Sequence, residues 1–234
     1  MVQQSLSRQG FAVRLHFLVE GPADVSLLEN LLPRLIPGHA WEIYPHQGRG
    51  KLPGDPDAKV DSSRRGLLDN LPMKLRAWGE VLDSSTDRVV VLLDVDRDDC
   101  SGLLNRLKRM QQALASCPVT IFRLAIEESE SWYLGDRVAI REAFPKANLR
   151  KLGDWVPDSR VGSWELFMQV IGAPSDDKVN WGESMGKTLR VNEPLEKANV
   201  SPSFVKFCRR VRELAGEHAP AAKRSTRSAA ASGP

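Results

Sequence analysis

The chain has 234 residues, of which 41% are hydrophobic, so it can bury a core and does not have the composition of a disordered protein. Its 33 Lys and Arg against 30 Asp and Glu give a net charge of +3, which permits nucleic-acid binding without requiring it. Its cysteines form no CxxC pair, no apolar run reaches the ~20 residues of a membrane span, and MVQQSLSRQG does not resemble a signal peptide. We therefore expect a cytoplasmic protein that does not associate with membranes and has no cysteine-based zinc site.

The first half of the chain alternates apolar runs with amphipathic segments. The strand candidates are FAVRLHFLV, WEIYP, RVVVLLDVD and VTIFRLAI, and the helix candidates between them are VSLLENLLPRLI, LLDNLPMKLRAWGEVL and LLNRLKRMQQALA. Pro72 either kinks the second of these helices or begins its second part. The pattern predicts an α/β fold with a mostly parallel four-stranded sheet flanked by helices, whose functional groups lie at the carboxyl ends of the strands.

The second half of the chain is helical in pattern. Its candidates are EESESWYLGDRVAIREAF, SWELFMQVIG, a segment around WGESMGKTLR, and SPSFVKFCRRVRELAG, which opens with a Ser-Pro pair typical of a helix N-terminus. We predict an α/β domain over residues 11–135 and a helical C-terminal extension over 136–216. Residues 1–10 are expected to be a flexible N-terminus, and the small, polar and basic residues 217–234 a disordered tail.

Carboxylates follow two of the predicted strands. Glu20 ends the first strand, and Asp94 and Asp96 end the third, where residues two apart point to the same face. If these two strands are neighbours, the three carboxylates meet at one edge of the sheet. Their mutual repulsion, about 4 kcal/mol for unit charges 4 Å apart in a partly buried site, calls for a counter-charge. Oxygen ligands are those that Mg²⁺ or Mn²⁺ prefers, so the pattern indicates a divalent-metal site.

Each acidic residue also has a simpler interpretation. Glu20 can be a helix-entry carboxylate favoured by the helix dipole, with Asp24 a surface acid of the first turn. Asp98 or Asp99 is expected to cap the following helix rather than to bind a metal. DVDRDD also resembles the nucleophile motif of haloacid-dehalogenase phosphatases, but that motif normally follows the first strand rather than the third.

The two segments that carry Glu20 and the Asp94–Asp96 pair together resemble the signatures of a Toprim domain. This domain is the metal-dependent catalytic module of topoisomerases, primases and OLD-family nucleases. The signatures are a glutamate after the first strand, here FLVEGPAD, and DxD after the third, here LLDVD. AIEESESWYLGD, HQGRGKL and SPSFVKF narrow the resemblance to a small Toprim-like family, over about residues 12–215, whose members are often found beside AAA-type ATPases in prokaryotes.

The resemblance implies a Rossmann-like fold and Mg²⁺- or Mn²⁺-dependent hydrolysis of phosphodiester bonds in nucleic acid, DNA rather than RNA. It further implies an AAA- or ABC-type ATPase as partner in a defence-type system, and allows a homodimer. The alternative is a non-catalytic regulatory or partner-binding module of an ATPase complex.

The resemblance also assigns roles to single residues. Glu20 takes the place of the general acid/base or metal-facing glutamate, Asp94 and Asp96 that of the magnesium-binding pair, and Asp24 that of a further acidic ligand of OLD-type nucleases.

The EESESW stretch aligns with an acidic-tryptophan motif and contributes Glu127, Glu128 and Glu130. On a helix Glu127 and Glu130 share a face, whereas in an extended segment Glu128 and Glu130 do. We favour Glu130 as a second-metal ligand, keep Glu128 as a candidate, and expect Trp132 and Leu134 to pack in the core.

Basic residues near these segments are candidate phosphate contacts. They are Arg49, Lys51, Arg64, Arg65 and Lys187, and their alternative is a solvated surface. GESMGKT is one residue short of the GxxxxGK[ST] spacing and follows no predicted strand, so the sequence does not predict a P-loop.

Overall fold

The computed structural model describes residues 13–61, 63–95, 99–159 and 162–216. Its strands are β1 (Arg14–Val19), β2 (Ala40–Pro45), β3 (Asp87–Asp94) and β4 (Thr120–Ala125). They form one sheet of order β2-β1-β3-β4 in which every neighbouring pair is parallel. The predicted α/β class with a four-stranded parallel sheet is therefore confirmed. Asp96, Asp98 and the predicted terminal segments 1–10 and 217–234 lie outside the described residues.

Helices connect the strands and then make up the rest of the described chain. They are α1 (Pro22–Leu35), α2 (Leu67–Val81), α3 (Cys100–Ala113), α4 (Glu130–Leu134), α5 (Arg137–Ala143), α6 (Ser163–Ile171), α7 (Lys178–Thr188), α8 (Leu195–Ala198) and α9 (Pro202–Ala215). Pro72 lies within the single helix α2, so it does not begin a separate second part of that helix. Within the described ranges, none of the helices combines the length and apolar character that a membrane crossing requires.

The two faces of the sheet bury separate sets of side chains, because successive residues of a strand point in opposite directions. On β3, Val90 and Leu92 belong to a core that α1 shares with residues of α4 to α9, whereas Val89, Val91 and Leu93 pack with residues of α2 and α3. The helices after residue 136 are thus the covering layer of one sheet face, packed in the same core as α1.

Helix α7 packs closely against α1 through two glycines. A Cβ atom on Gly182 would lie 2.7 Å from the carbonyl oxygen of Ala23, and one on Gly186 would lie 2.5 Å from that of Leu27. Because the earlier glycine meets the earlier part of α1, the two helices run in the same direction. GESMG is therefore a helix-packing segment, and the N-termini of α1 and α7 lie side by side.

Replacing Gly186 by Ala tests this packing. The new methyl group would also meet Asn30 Cβ at 2.8 Å, so we expect the free energy of unfolding to fall by about 1–3 kcal/mol in urea titrations. Gly54→Ala is the control, because no atom lies within 4 Å of a Cβ there. A Gly186→Ala variant more stable than the wild type, as helix propensity alone would give, would contradict the close contact.

Candidate metal and phosphate site

A cavity of about 700 Å³ opens at the carboxyl ends of β1 and β3, beside the N-termini of α1 and α7. Its lining includes four of the predicted acidic ligands: Glu20 after β1, Asp94 at the end of β3, Asp24 on α1 and Glu130 on α4. Asp176 and Asp177, which precede α7, also line it. Such edges of parallel sheets are where α/β proteins commonly bind ligands. The structure therefore brings together these four of the six predicted metal ligands.

Glu20 and Asp94 are directly connected. Leu18 on β1 is paired with Val91 on β3, which makes the two strands neighbours as the sequence argument required. Beyond this pairing, Glu20 Oε1 accepts a hydrogen bond of 2.9 Å from the backbone N–H of Asp94. The carboxylate of Glu20 is thus fixed at the end of β3.

Asp24 is an acid of the first turn of α1, but it is buried rather than on the surface. Its Oδ2 accepts hydrogen bonds from the backbone N–H groups of Glu20 and Gly21, at 3.2 and 3.3 Å, as an acid in the first turn of a helix does. The same side chain is 7% exposed and lines the cavity. Burial raises the pKa of Asp24 to about 6.

The three glutamates of EESESW have different surroundings. Glu127 caps α6: its Oε1 accepts from the N–H of Gly162 at 2.6 Å and its Oε2 from that of Ser163 at 2.7 Å. Glu128 Oε2 accepts a hydrogen bond of 2.8 Å from Lys178 Nζ. Glu130 is 2% exposed and lines the cavity. Of these three, Glu130 is the one that the structure places in the cavity lining.

Lys178 is a cavity residue that the sequence argument missed. Its Nζ lies 2.8 Å from Glu128 Oε2, 3.6 Å from Glu130 Oε1 and 5.2 Å from the centroid of the Trp164 ring. Burial lowers the pKa of Lys178, but the charge of Glu130 and the hydrogen bond to Glu128 outweigh burial and raise it. A lysine at the first position of a helix is disfavoured by the helix dipole. The lysine in SDDKVNW was therefore the sequence feature that could have indicated a role for Lys178.

The cavity carries more negative than positive charge. Burial, followed by the charges of Asp24, Glu20 and Glu130, raises the pKa of Asp94 well above its ordinary value. Burial also raises the pKa of Glu130 to about 7, although Lys178 opposes the shift. The protonated forms of Asp94 and Glu130 are favoured first by burial and then by the charges of the neighbouring carboxylates.

Carboxylate oxygens under mutual repulsion are a donor set that suits Mg²⁺ or Mn²⁺. Within residues 13–61, 63–95, 99–159 and 162–216, no three acidic, His or Cys side chains are spaced as a complete metal site, and Asp96 lies outside these ranges. The oxygen donors of the lining nevertheless suit a hard divalent cation in their chemistry, because they are carboxylates.

The predicted phosphate-contacting residues fall into two places. Lys51 and Arg64 line a second cavity of about 280 Å³, and Arg49 Nη1 donates to the carbonyl oxygen of Val95 at 3.3 Å. Arg65 is exposed on the same loop. Lys187 lies about 13 Å along α7 from Lys178 and is paired with Glu183 at 2.5 Å.

Two further sequence predictions are confirmed. Asp99 caps α3, since its side chain accepts from the backbone N–H groups of Ser101 at 3.2 Å and Gly102 at 2.7 Å. Trp132 and Leu134 are buried, at 0% and 1% exposure. They therefore belong to the core.

Comparisons of the chain with protein-family models, with curated proteins and with solved structures find no match in any of the three. The Toprim resemblance therefore rests on the sequence motifs.

The variant Glu130→Gln tests the excess of negative charge in the cavity. Its free energy of unfolding is measured with EDTA present. Between its ordinary pKa of 4.5 and a folded value of about 7, the folded state keeps a proton that the unfolded state has lost, so stability falls as pH rises through this window. The glutamine variant should lose part of this decline and have the larger free energy of unfolding at pH 8. Glu29→Gln, on the exposed side of α1, should match the wild type. Lower stability of Glu130→Gln at pH 8 would refute the assignment.

Proposed function

We propose that this protein is a Mg²⁺- or Mn²⁺-dependent phosphodiesterase that hydrolyses nucleic acid, DNA rather than RNA. The observation that supports the proposal is the convergence of Glu20, Asp24, Asp94 and Glu130 in one cavity, with the pKa of Asp94 raised by burial and by its acidic neighbours. An uncompensated cluster of this kind costs free energy in the folded protein. Binding of a divalent cation would offset that cost.

In this proposal Glu20, Asp24, Asp94 and Glu130 hold the cation, with Asp96 as a further ligand and Glu128 held by Lys178. A divalent cation bound there supplies Lewis-acid stabilisation of a phosphate and lowers the pKa of a water molecule. Glu20 is fixed through the N–H of Asp94, which orients its carboxylate to handle the proton of an attacking water. Lys178 supplies positive charge beside Glu128 and Glu130.

A second candidate function is a non-catalytic regulatory module that binds a partner, such as an AAA- or ABC-type ATPase. The observation that favours it is that Lys178 forms ion pairs with Glu128 and Glu130 and so offsets part of the negative charge without a metal. In that case the remaining acidic groups would bind a metal structurally or contact a basic surface. A homodimer is compatible with either function.

Asp94→Asn separates the two candidates. If the protein is a nuclease, purified wild type should cleave labelled DNA in Mn²⁺ or Mg²⁺, and the variant should be slower by roughly 100-fold or more, because it loses a carboxylate on which the charges of the other acids act. Asp154→Asn changes an exposed acid and should cleave like the wild type. Equal cleavage by Asp94→Asn would point to a contaminant, whereas absence of cleavage with metal binding intact would favour the regulatory module.

Lys178→Gln tests whether the cavity binds a divalent cation at all. Removal of the ammonium leaves more negative charge in the cavity, so calorimetry should show Mn²⁺ binding tightened by about tenfold. Lys187→Gln lies on the same helix, outside the cavity lining, and should leave Mn²⁺ affinity unchanged. If both variants bind Mn²⁺ as the wild type does, or none binds it, the cavity is not the metal site.

A further inference from the structure

A partly exposed cation lies between two aromatic rings near the acidic cavity. Lys74 Nζ, on α2, is 4.7 Å from the ring centroid of Tyr44 on β2 and 5.0 Å from that of Trp78 on α2. The two rings are 5.0 Å apart and inclined at 61°. We call Tyr44, Lys74 and Trp78 the aromatic notch. Each of the three side chains is partly exposed, so the notch is open to a ligand.

Within the described residues, no carboxylate pairs with Lys74. Burial is the only cause that lowers its pKa, and the two rings are its contacts. The cation–π attraction of the two rings leaves the ammonium hydrogens available for a charge-assisted hydrogen bond. Lys74 therefore retains the capacity to bind an anion that comes from outside the chain.

A hydrogen-bond network holds the ring of Tyr44 in place, and ring contacts place Trp78 beside it. Tyr44 Oη lies 3.3 Å from His16 Nδ1, and His16 Nε2 lies 3.1 Å from Asp87 Oδ1. Tyr44 also donates a hydrogen bond of 2.5 Å to Glu42, and the ring of His16 lies 5.3 Å from that of Trp78. His16 and Asp87 are both buried. The notch is thus a preorganised surface, which lowers the entropic cost of binding.

The notch adjoins the acidic cavity through the end of β2. Tyr44 and His46 are two residues apart, which is about 6.6 Å along an extended chain. His46 lines the cavity and is held by a hydrogen bond of 3.0 Å between its Nδ1 and the carbonyl oxygen of Val19. Burial lowers the pKa of His46 and the charge of Lys74 lowers it further, as expected for groups that lie close together.

We propose that the aromatic notch binds single-stranded nucleic acid beside the acidic cavity, with a phosphate on Lys74 and a base against Trp78. Aromatic faces interleaved with cations bind single strands, because unpaired bases expose their faces and every base can stack. In a duplex those faces are covered by neighbouring base pairs. The inference rests on the proposed function for its ligand class, and it narrows the substrate to a single strand or an unpaired end.

Binding of a dye-labelled thymidine 12-mer, followed by fluorescence anisotropy in EDTA, tests this proposal without any cleavage. Loss of one phosphate contact should reduce the slope of log K against log salt by about 0.7, which corresponds to about fivefold weaker binding of Lys74→Gln at 0.1 M salt. Lys74→Arg keeps the charge and should keep most of the affinity. Lys206→Gln, an exposed lysine of α9 on the other face of the sheet, should bind as the wild type does.

Trp78→Leu separates stacking from charge. It should weaken binding by about fivefold or more through the loss of a stacked base and leave the salt slope unchanged. Thermal unfolding checks that each variant is folded. If Trp78→Leu does not fold, the comparison of Lys74→Gln with Lys74→Arg tests the proposal instead. If Lys74→Gln has the same slope of log K against log salt as the wild type, the proposal is overturned. Binding of the matching duplex with equal affinity and equal dependence on Lys74 would also overturn it.

The outcomes distinguish this inference from the proposed hydrolysis. If the wild type cleaves nothing in Mn²⁺ but Lys74→Gln loses affinity for the 12-mer, the notch stands and hydrolysis is refuted. If cleavage depends on Asp94 but Lys74→Gln binds normally, hydrolysis stands and the notch is refuted.

Discussion

The contact between α1 and α7 is the constraint on which the candidate site depends. α1 carries Asp24 at its N-terminus and α7 carries Lys178, and both lie in the cavity lining only because the two helices run side by side in the same direction. Gly182 and Gly186 make this possible, since any side chain at these positions would meet the backbone of α1. The packing of these two helices thus sets the charge of the cavity.

That charge is the second determinant of the site. The parallel sheet brings Glu20 and Asp94 together at the ends of neighbouring strands, and the helical layer adds Glu130 and Lys178. One ammonium does not compensate the group, since acidic neighbours together with burial raise the pKa values of Asp94 and Glu130. The fold therefore holds these acids together against their repulsion, which is typical of sites that bind a ligand of opposite charge.

Much of the sheet edge could be predicted from the sequence, because apolar runs identify buried strands and strand ends identify the edge. Glu20, Asp94 and the cap at Asp99 followed from such local patterns. Lys178 did not, since its position depends on glycines that bring two helices together some 150 residues apart in sequence. The separate roles of Glu127, Glu128 and Glu130 did not follow either, because neither a helix nor an extended strand describes this turn.

The turn that begins at Glu127 joins the helical layer to the cavity. Glu127 has φ 64, in the left-handed region, where a residue other than glycine costs of order 1–3 kcal/mol. Its carboxylate is held by the N-terminus of α6, and these hydrogen bonds offset the cost. A displacement of α6 would remove the bonds and let the backbone relax immediately before Glu128 and Glu130. Glu127 thus connects the packing of α6 to the conformation of the segment that carries Glu128 and Glu130.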